Sequence, residues 1–191
     1  MSNQQIDTEM LVRDYGLTIS QFAHRMIKNP DVAKEAAQET WYELLRCLPS
    51  FRRQSNTSTW IYTIARRTLL RCAKNERVYT STEITAHFEM DDIPYYGLPD
   101  EKKGWVKTQC DQCLTAFCHC LTNEARLIFI FRDIAELSYE EIANIMEMTL
   151  ENVRKISSRS RKKVKNYMEK NCIFLNPPLN AAAVFKLTLN L

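Results

Sequence analysis

Apolar positions recur at helical spacing along most of this chain, which predicts an all-α fold. Residues 7–28 suit one amphipathic helix or a helix pair, with Met10, Leu11, Ile19, Phe22, Ala23 and Met26 apolar and Gly16 as an interruption. Asn29-Pro30-Asp31 reads as a turn and helix start. In the helix that follows, Ala33, Ala37, Trp41, Leu44 and Leu48 form a buried stripe, while Asp31, Glu35, Gln38, Glu39 and Tyr42 point largely elsewhere. Pro49-Ser50 ends it, and Phe51 to Ser58 is a polar loop carrying Arg52 and Arg53. A third helix starts at Ser58 or Thr59, with Ile61, Ile64, Ala65, Thr68 and Cys72 as its core face.

Periodicity fails over residues 78–104, which hold Asp91-Asp92, Pro94, Gly97 and Pro99. This reads as an acidic, flexible linker between two small helical domains, residues 7–77 and 105–170, with a tail at 171–191 of no assigned role. Helical pattern returns at Trp105 through Val106, Cys110, Cys113, Leu114, Phe117 and Leu121, and Thr122 caps the helix NEARLIFIFRDIAEL.

The stretch Leu137 to Lys170 carries the clearest pattern. Ser138 and Glu141 have capping-box spacing, and Tyr139, Ile142, Ala143, Ile145 and Met146 follow as an apolar stripe. Thr149 is the next cap. At 100° per residue, Leu150, Val153, Ile156, Ser157, Ser160, Val164, Tyr167 and Met168 fall on one arc. Glu151, Arg154, Lys155, Ser158, Arg159, Arg161, Lys162 and Lys165 fall on the other. One face suits a core and the other an anion. A short helix, a turn and such a helix make a helix-turn-helix, whose second helix enters the DNA major groove.

Composition adds little until it is divided along the chain. The 191 residues are 45% hydrophobic with 3 Gly and 6 Pro, which suits a helix-rich globular protein. No apolar run approaches the length of a membrane span and the N-terminus is polar, so a cytoplasmic protein without membrane insertion is expected. The net charge of +3 hides two basic blocks: residues 51–77 hold seven Lys/Arg against one acidic residue, and residues 150–170 hold eight against two. Between them, residues 78–149 hold five against thirteen. Two basic blocks around an acidic middle suit contact with nucleic acid at two places.

Trp60 and Tyr62 beside Arg66, Arg67, Arg71 and Lys74 suit unpaired nucleic acid, since bases stack on rings while arginines hold phosphates. The plainer alternative is that Trp60 is core. Likewise, a Lys/Arg-rich helix face is often only solvated.

Seven cysteines is an odd number, and without a secretory context free thiols are the expectation. Cys110, Cys113, Cys118, His119 and Cys120 resemble the spacing of a metal site, with zinc the metal it would suit. One straight helix cannot surround a tetrahedral ion with all four thiols, because Cys118 lies about 140° from Cys113. Core packing is the expectation, with no metal and no cofactor.

Three passages resemble the extracytoplasmic-function (ECF) group of bacterial RNA polymerase sigma factors. Ala33, Glu35 and Gln38-Glu39-Thr40 sit where that family has A-x-D-x-x-Q-E-T. Phe51 to Arg66, ending TWIYTIAR, resembles F-R-x-x-S-x-x-x-T-W-L-Y-x-I-A-R. Leu121 to Val164 resembles the fourth region, including Arg126, Arg132-Asp133, LSYEEIA, Val153 and Arg159. The resemblance implies partners and roles. Asp31, Glu35, Gln38 and Glu39 would face core RNA polymerase. The loop with Arg52, Arg53, Ser55, Asn56 and Thr57, and Trp60 beyond it, would take the opened minus-ten element, with Arg66, Arg67, Arg71 and Lys74 on its phosphates. Glu151, Arg154, Lys155, Ser158, Arg159 and Lys162 would lie on minus-thirty-five promoter DNA. The resemblance also implies an anti-sigma protein as a partner.

Departures from the family pattern are Arg67 and Arg71 for Asn and Asp, Thr122 for Pro, Glu147 for the turn glycine, and Ile156 and Ser157 for Arg and Leu. The competing reading is a helix-turn-helix regulator, with a cysteine-based metal or redox sensor; it has no need of the aromatic and basic passage 51–77. An enzyme finds little support, since there are three His, no Gly-rich phosphate loop and no paired nucleophile and base at recognisable spacing.

Overall fold

The computed structural model describes residues 8–51, 56–80, 82–84 and 113–171, and among them every regular element is helical. The elements are α1 (Thr8–Met26), α2 (Pro30–Cys47), α3 (Thr57–Cys72), α4 (Asn123–Phe129), α5 (Tyr139–Met146) and α6 (Leu150–Asn171). A 3₁₀ turn follows each of α2 and α3, at Leu48–Ser50 and Ala73–Asn75. None of the described helices is long and apolar enough to cross a membrane. The tail beyond residue 171 and most of the expected linker lie outside the described residues.

Local chemistry sets the helix starts. Asn29 caps α2, its Oδ1 accepting from the backbone N–H of Asp31 at 2.9 Å and Val32 at 3.2 Å, with Pro30 in the first turn, where its missing N–H costs nothing. Asn56 caps α3 by accepting from Ser58 N–H, so the helix starts one to two residues before the expected Ser58 or Thr59. Thr122 caps α4 in place of the family's proline, accepting from Ala125 N–H at 3.4 Å. The Ser138–Glu141 capping box forms in full: Glu141 N–H donates to Ser138 Oγ at 3.1 Å, and Ser138 N–H donates to Glu141 Oε2 at 2.8 Å.

Helix α1 is continuous through Gly16, contrary to the expected interruption. A Cβ there would meet only Val12 Cγ1, at 3.8 Å, so the glycine weakens the helix by its backbone entropy without breaking it. The helix after Thr122 is also not uniform. Its last turn, Ile130–Ile134, is a π-helix, closed by Ala135 N–H donating to Ile130 O at 3.0 Å.

The two expected helical regions are both present, and they pack on each other around a shared core. That core runs from Leu11 to Ala73 in the first region and from Leu127 to Val153 in the second. Phe22 of α1, Tyr62 of α3 and Phe131 of the π-helical turn form a three-ring cluster, with centroids 5.7 to 5.8 Å apart. Burying each such ring contributes about 2–3 kcal/mol. Fully buried Arg126 joins the regions by hydrogen bonds, donating to Met26 O at 2.5 Å, Cys118 O at 3.1 Å and Leu121 O at 3.2 Å.

A second cluster holds Phe117, Cys118, Cys120, Leu121, Phe129, Val164 and Tyr167, together with Tyr79 and Ile84 from the start of the expected linker. Tyr79 N–H donates to His119 O at 2.9 Å. The segment assigned to a flexible linker from residue 78 therefore begins as packed chain, because Tyr79 and Ile84 have an apolar cluster to fill. Sequence periodicity could not reveal this over so short a run.

A candidate nucleic-acid interface

Helices α5 and α6 form the expected helix-turn-helix. The turn is Glu147 to Thr149. Glu147 adopts φ 56°, ψ 43°, the left-handed conformation that favours glycine, and Met148 N–H closes the end of α5 on Ala143 O at 3.0 Å. Thr149 then caps α6, accepting from Asn152 N–H at 3.3 Å.

The two faces of α6 follow the expected arcs. Val153, Ser157, Ser160, Val164 and Tyr167 are buried, and Leu150, Ile156 and Met168 are half-buried. Glu151, Arg154, Lys155, Ser158, Arg159, Arg161, Lys162 and Lys165 are all exposed. Ile156 packs at the edge of the shared core and Ser157 lies fully inside, so both departures from the family pattern fall on the protein-facing side. Arg154 reaches Glu140 at 3.4 Å and lies over the Tyr139 ring, 5.7 Å from its centroid. Arg161 is fixed by Asp133, its Nε donating at 2.6 Å. Among the described residues Lys155, Arg159 and Lys162 have no ion-pair partner and project into solvent.

The second basic block lies on α3. Arg67, Arg71 and Lys74 are exposed, whereas the Arg66 side chain retains only 11% of its accessibility. Trp60 is half-buried and stacks on Phe51, with centroids 4.5 Å apart and planes at 27°, so it is neither simply core nor freely available. Tyr62 belongs to the core, and Cys72, expected there, is half-buried at its edge. Asn56 is exposed and Thr57 half-buried at the start of α3. Arg52, Arg53 and Ser55 lie outside the described residues.

Each α3 arginine has an acidic partner. Arg66 and Arg67 both donate to Glu147 Oε1, at 2.9 and 3.1 Å. Arg71 donates to Glu39 Oε1 at 2.8 Å. The hydrogen bonds from Arg67 and then Arg66 hold the Glu147 carboxyl below its ordinary range, and Arg71 followed by Cys72 does the same for Glu39. Neither set of partners is visible in sequence, since one spans 80 residues and the other 32.

On α2, Asp31, Glu35 and Gln38 are exposed, while Glu39 turns toward α3. Tyr42 and Leu45, 65% and 43% exposed, continue the stripe Asp31, Glu35, Gln38 at alternating four- and three-residue steps. That spacing suits a seam against another helix. Leu45 was hidden among apolar neighbours in the sequence; its distance from the Ala33–Leu44 arc is the feature that separates it.

The cysteine cluster is brought only partly together. Cys118, His119 and Cys120 are buried and Cys113 is half-buried, while Cys110 lies outside the described residues. Burial pushes the Cys118 thiol up to about 12 and raises Cys120, so both sit in the packed cluster as neutral thiols. Burial, then the Arg126 and Lys28 cations, lower His119 to about 3. Its Nδ1 lies 3.6 Å from Glu76 Oε2, but a neutral imidazole makes no ion pair there. Among the described residues no group of three or more His, Cys, Asp or Glu could hold a metal ion.

Comparison with known proteins matches both regions. Residues 11–77 match the family described as Sigma-70 region 2, and residues 119–166 match Sigma-70, region 4. The RNA polymerase sigma factor YlaC of Bacillus subtilis is 31% identical over 164 residues, covering 85% of this chain and 92% of that protein. The ECF RNA polymerase sigma-E factor of Escherichia coli is 27% identical over 84% of this chain and 85% of its own length. Among solved structures, the sigma factor RpoE in complex with the anti-sigma factor NepR from Bartonella quintana shares the fold. It has a TM-score of 0.61 and 18% identity, covering 85% of this chain and 97% of that one. CnrH in complex with the cytosolic domain of CnrY gives 0.60 at 13% identity, covering 85% of this chain and 88% of that one.

Proposed function

The chain belongs to the sigma-70 family of RNA polymerase sigma factors, in its extracytoplasmic-function group, and from that premise we propose how its surfaces divide the work. As a sigma factor it directs core RNA polymerase to promoters and starts transcription there. It acts by binding alone, with no catalytic centre and no cofactor, in the cytoplasm where polymerase and chromosome meet.

The α6 face carries Arg154, Lys155, Ser158, Arg159 and Lys162 into the major groove of the minus-thirty-five duplex. The observation that carries this assignment is the split of α6 into a buried arc and a fully exposed cationic arc. Residues in its first turns read base edges and those further along hold phosphates. Glu151, at the α6 N-terminus, accepts from a base donor there.

Helix α3 supplies the second anchor. Arg66, Arg67, Arg71 and Lys74 hold phosphates of the opened minus-ten strand, and the loop before α3 receives an unstacked base beside Trp60. The α2 seam of Asp31, Glu35 and Gln38, lengthened by Tyr42 and Leu45, docks on core polymerase. An anti-sigma protein is a further partner, as the sigma factor RpoE above was captured with the anti-sigma factor NepR. The buried cysteines pack the second cluster and hold no metal.

Binding of the full chain with core polymerase to a promoter duplex tests the α6 assignment. Arg159→Ala should weaken binding and flatten the dependence of log K on log salt by about 1. An unchanged slope in both Arg159→Ala and Lys155→Ala removes α6 from the DNA.

A further inference from the structure

Glu147 stands where the family has its turn glycine, and it keeps the left-handed backbone that glycine serves. Its carboxylate meets two arginines of α3 at once, Arg66 at 2.9 Å and Arg67 at 3.1 Å. These are the residues assigned above to DNA phosphates. A carboxylate gripped by two guanidinium groups imitates a phosphate in charge and hydrogen-bond geometry. The shared core fixes α5 against α3, so the Glu147 side chain is delivered to this place by the packing of the two regions. Arg66, already largely enclosed, keeps only 11% of its side-chain accessibility for a strand.

We infer that Glu147 is an autoinhibitory phosphate mimic: in the closed chain the helix-turn-helix turn occupies Arg66 and Arg67 and keeps α3 from single-stranded DNA. The minus-ten and minus-thirty-five elements, by their names, lie about 25 base pairs or roughly 85 Å apart at 3.4 Å each. Helix α6 is only about 33 Å long at 1.5 Å per residue, and its turn touches α3. A chain engaged on both elements must therefore separate α5 from α3, and that separation withdraws Glu147. The contact thus reserves the α3 arginines for the chain opened on polymerase. The inference rests on the reading that these arginines bind DNA.

The test is fluorescence anisotropy of the full chain, without polymerase, on a labelled single-stranded oligonucleotide across a salt series. Glu147→Gln removes the charge, and Glu147→Gly removes the side chain while suiting the left-handed backbone. Both should bind several-fold tighter than the unaltered chain at low salt. Their slopes should steepen by about 0.7 if Arg67 alone is released and about 1.4 if Arg66 is too. Glu136→Gln is the matched control, since Glu136 is also exposed with φ 56° and, among the described residues, the α3 arginines pair with Glu147 and Glu39 instead. It should show only the small effect of the net-charge change. Equal binding by the Glu147 variants and the Glu136 control overturns the inference. Adding Arg66→Ala and Arg67→Ala together to Glu147→Gln should remove the gain; a gain that persists also overturns it. Failure of the underlying reading shows separately, as promoter opening by the polymerase complex that is unaffected by Arg66→Ala and Arg67→Ala.

Discussion

Glu39 of α2 holds Arg71 of α3 through a 2.8 Å ion pair, and the same carboxylate accepts from Cys72 Sγ at 3.3 Å. A residue assigned to polymerase is thus bonded directly to one assigned to promoter DNA. Both side chains are substantially exposed, so the pair is screened and adds little to stability. Its consequence is positional: Arg71 is held against α2 until Glu39 finds another partner. Arg71→Ala should leave the melting temperature near that of the unaltered chain and reduce the salt slope of promoter-strand binding by about 0.7. Titration of the polymerase complex with labelled promoter at several salt concentrations measures it.

Arg126 carries a heavier structural role. Its guanidinium serves three backbone carbonyls from fully buried ground, one of them 100 residues away in α1. Arg126→Met fills much of the space but leaves those carbonyls without their donor, at about 1 kcal/mol or more each. A loss of roughly 3 kcal/mol or more in urea unfolding is expected. A loss below 1 kcal/mol would show that the carbonyls find other partners.

The capping box makes a smaller, local prediction. Ser138→Ala should cost about 1 kcal/mol, and hence about 2–4 °C in melting temperature for a chain of this length. Thermal unfolding by circular dichroism reads the shift.

Much of this site was legible from sequence wherever the cause is local. The Ser138–Glu141 box and the two arcs of α6 depend on residues within a turn or two of one another, and both stand as read. The ring cluster of Phe22, Tyr62 and Phe131 was not legible, because its members come from three separated elements and Tyr62 was read as a surface aromatic. The π-helical turn after Phe129 escaped for a related reason: α and π spacing differ too little over the five residues IFRDI to be told apart. Glu147 was noticed as an awkward turn residue, but its two arginine partners exist only once α5 lies on α3.

His119 predicts a pH dependence. Its folded pKa, lowered to about 3 chiefly by burial, lies below the ordinary value of 6.5. On acidification the unfolded chain therefore binds a proton first. The contribution is fully present above about pH 6.5 and is lost progressively as pH falls toward 3. Between pH 6.5 and 5 the loss should be about 2 kcal/mol, at 1.36 kcal/mol per unit. The carboxylates with lowered values, Glu39, Glu83, Glu141 and Glu147, act mainly below about pH 4.5, under that window. Urea unfolding at pH 7 and pH 5 should show this difference in the unaltered chain and a much smaller one in His119→Phe.

Within α6, base reading and phosphate holding separate by their dependence on sequence. Arg154→Ala should cost about 1–3 kcal/mol on the preferred minus-thirty-five duplex and relax discrimination at one position. Lys162→Ala, further along the helix, should weaken all duplexes evenly. Competition binding over a randomised element distinguishes the two patterns.

Run-off transcription tests the central claim most directly. The full chain is combined with core RNA polymerase on a library of promoters, and transcripts are sequenced. The chain should direct initiation at a restricted set of promoters sharing two spaced elements, and should lose it when Glu35 and Gln38 on the α2 seam are replaced by lysine. A chain that binds duplex DNA through α6 but neither joins the core enzyme nor yields transcripts would contradict the account and leave a helix-turn-helix regulator in its place.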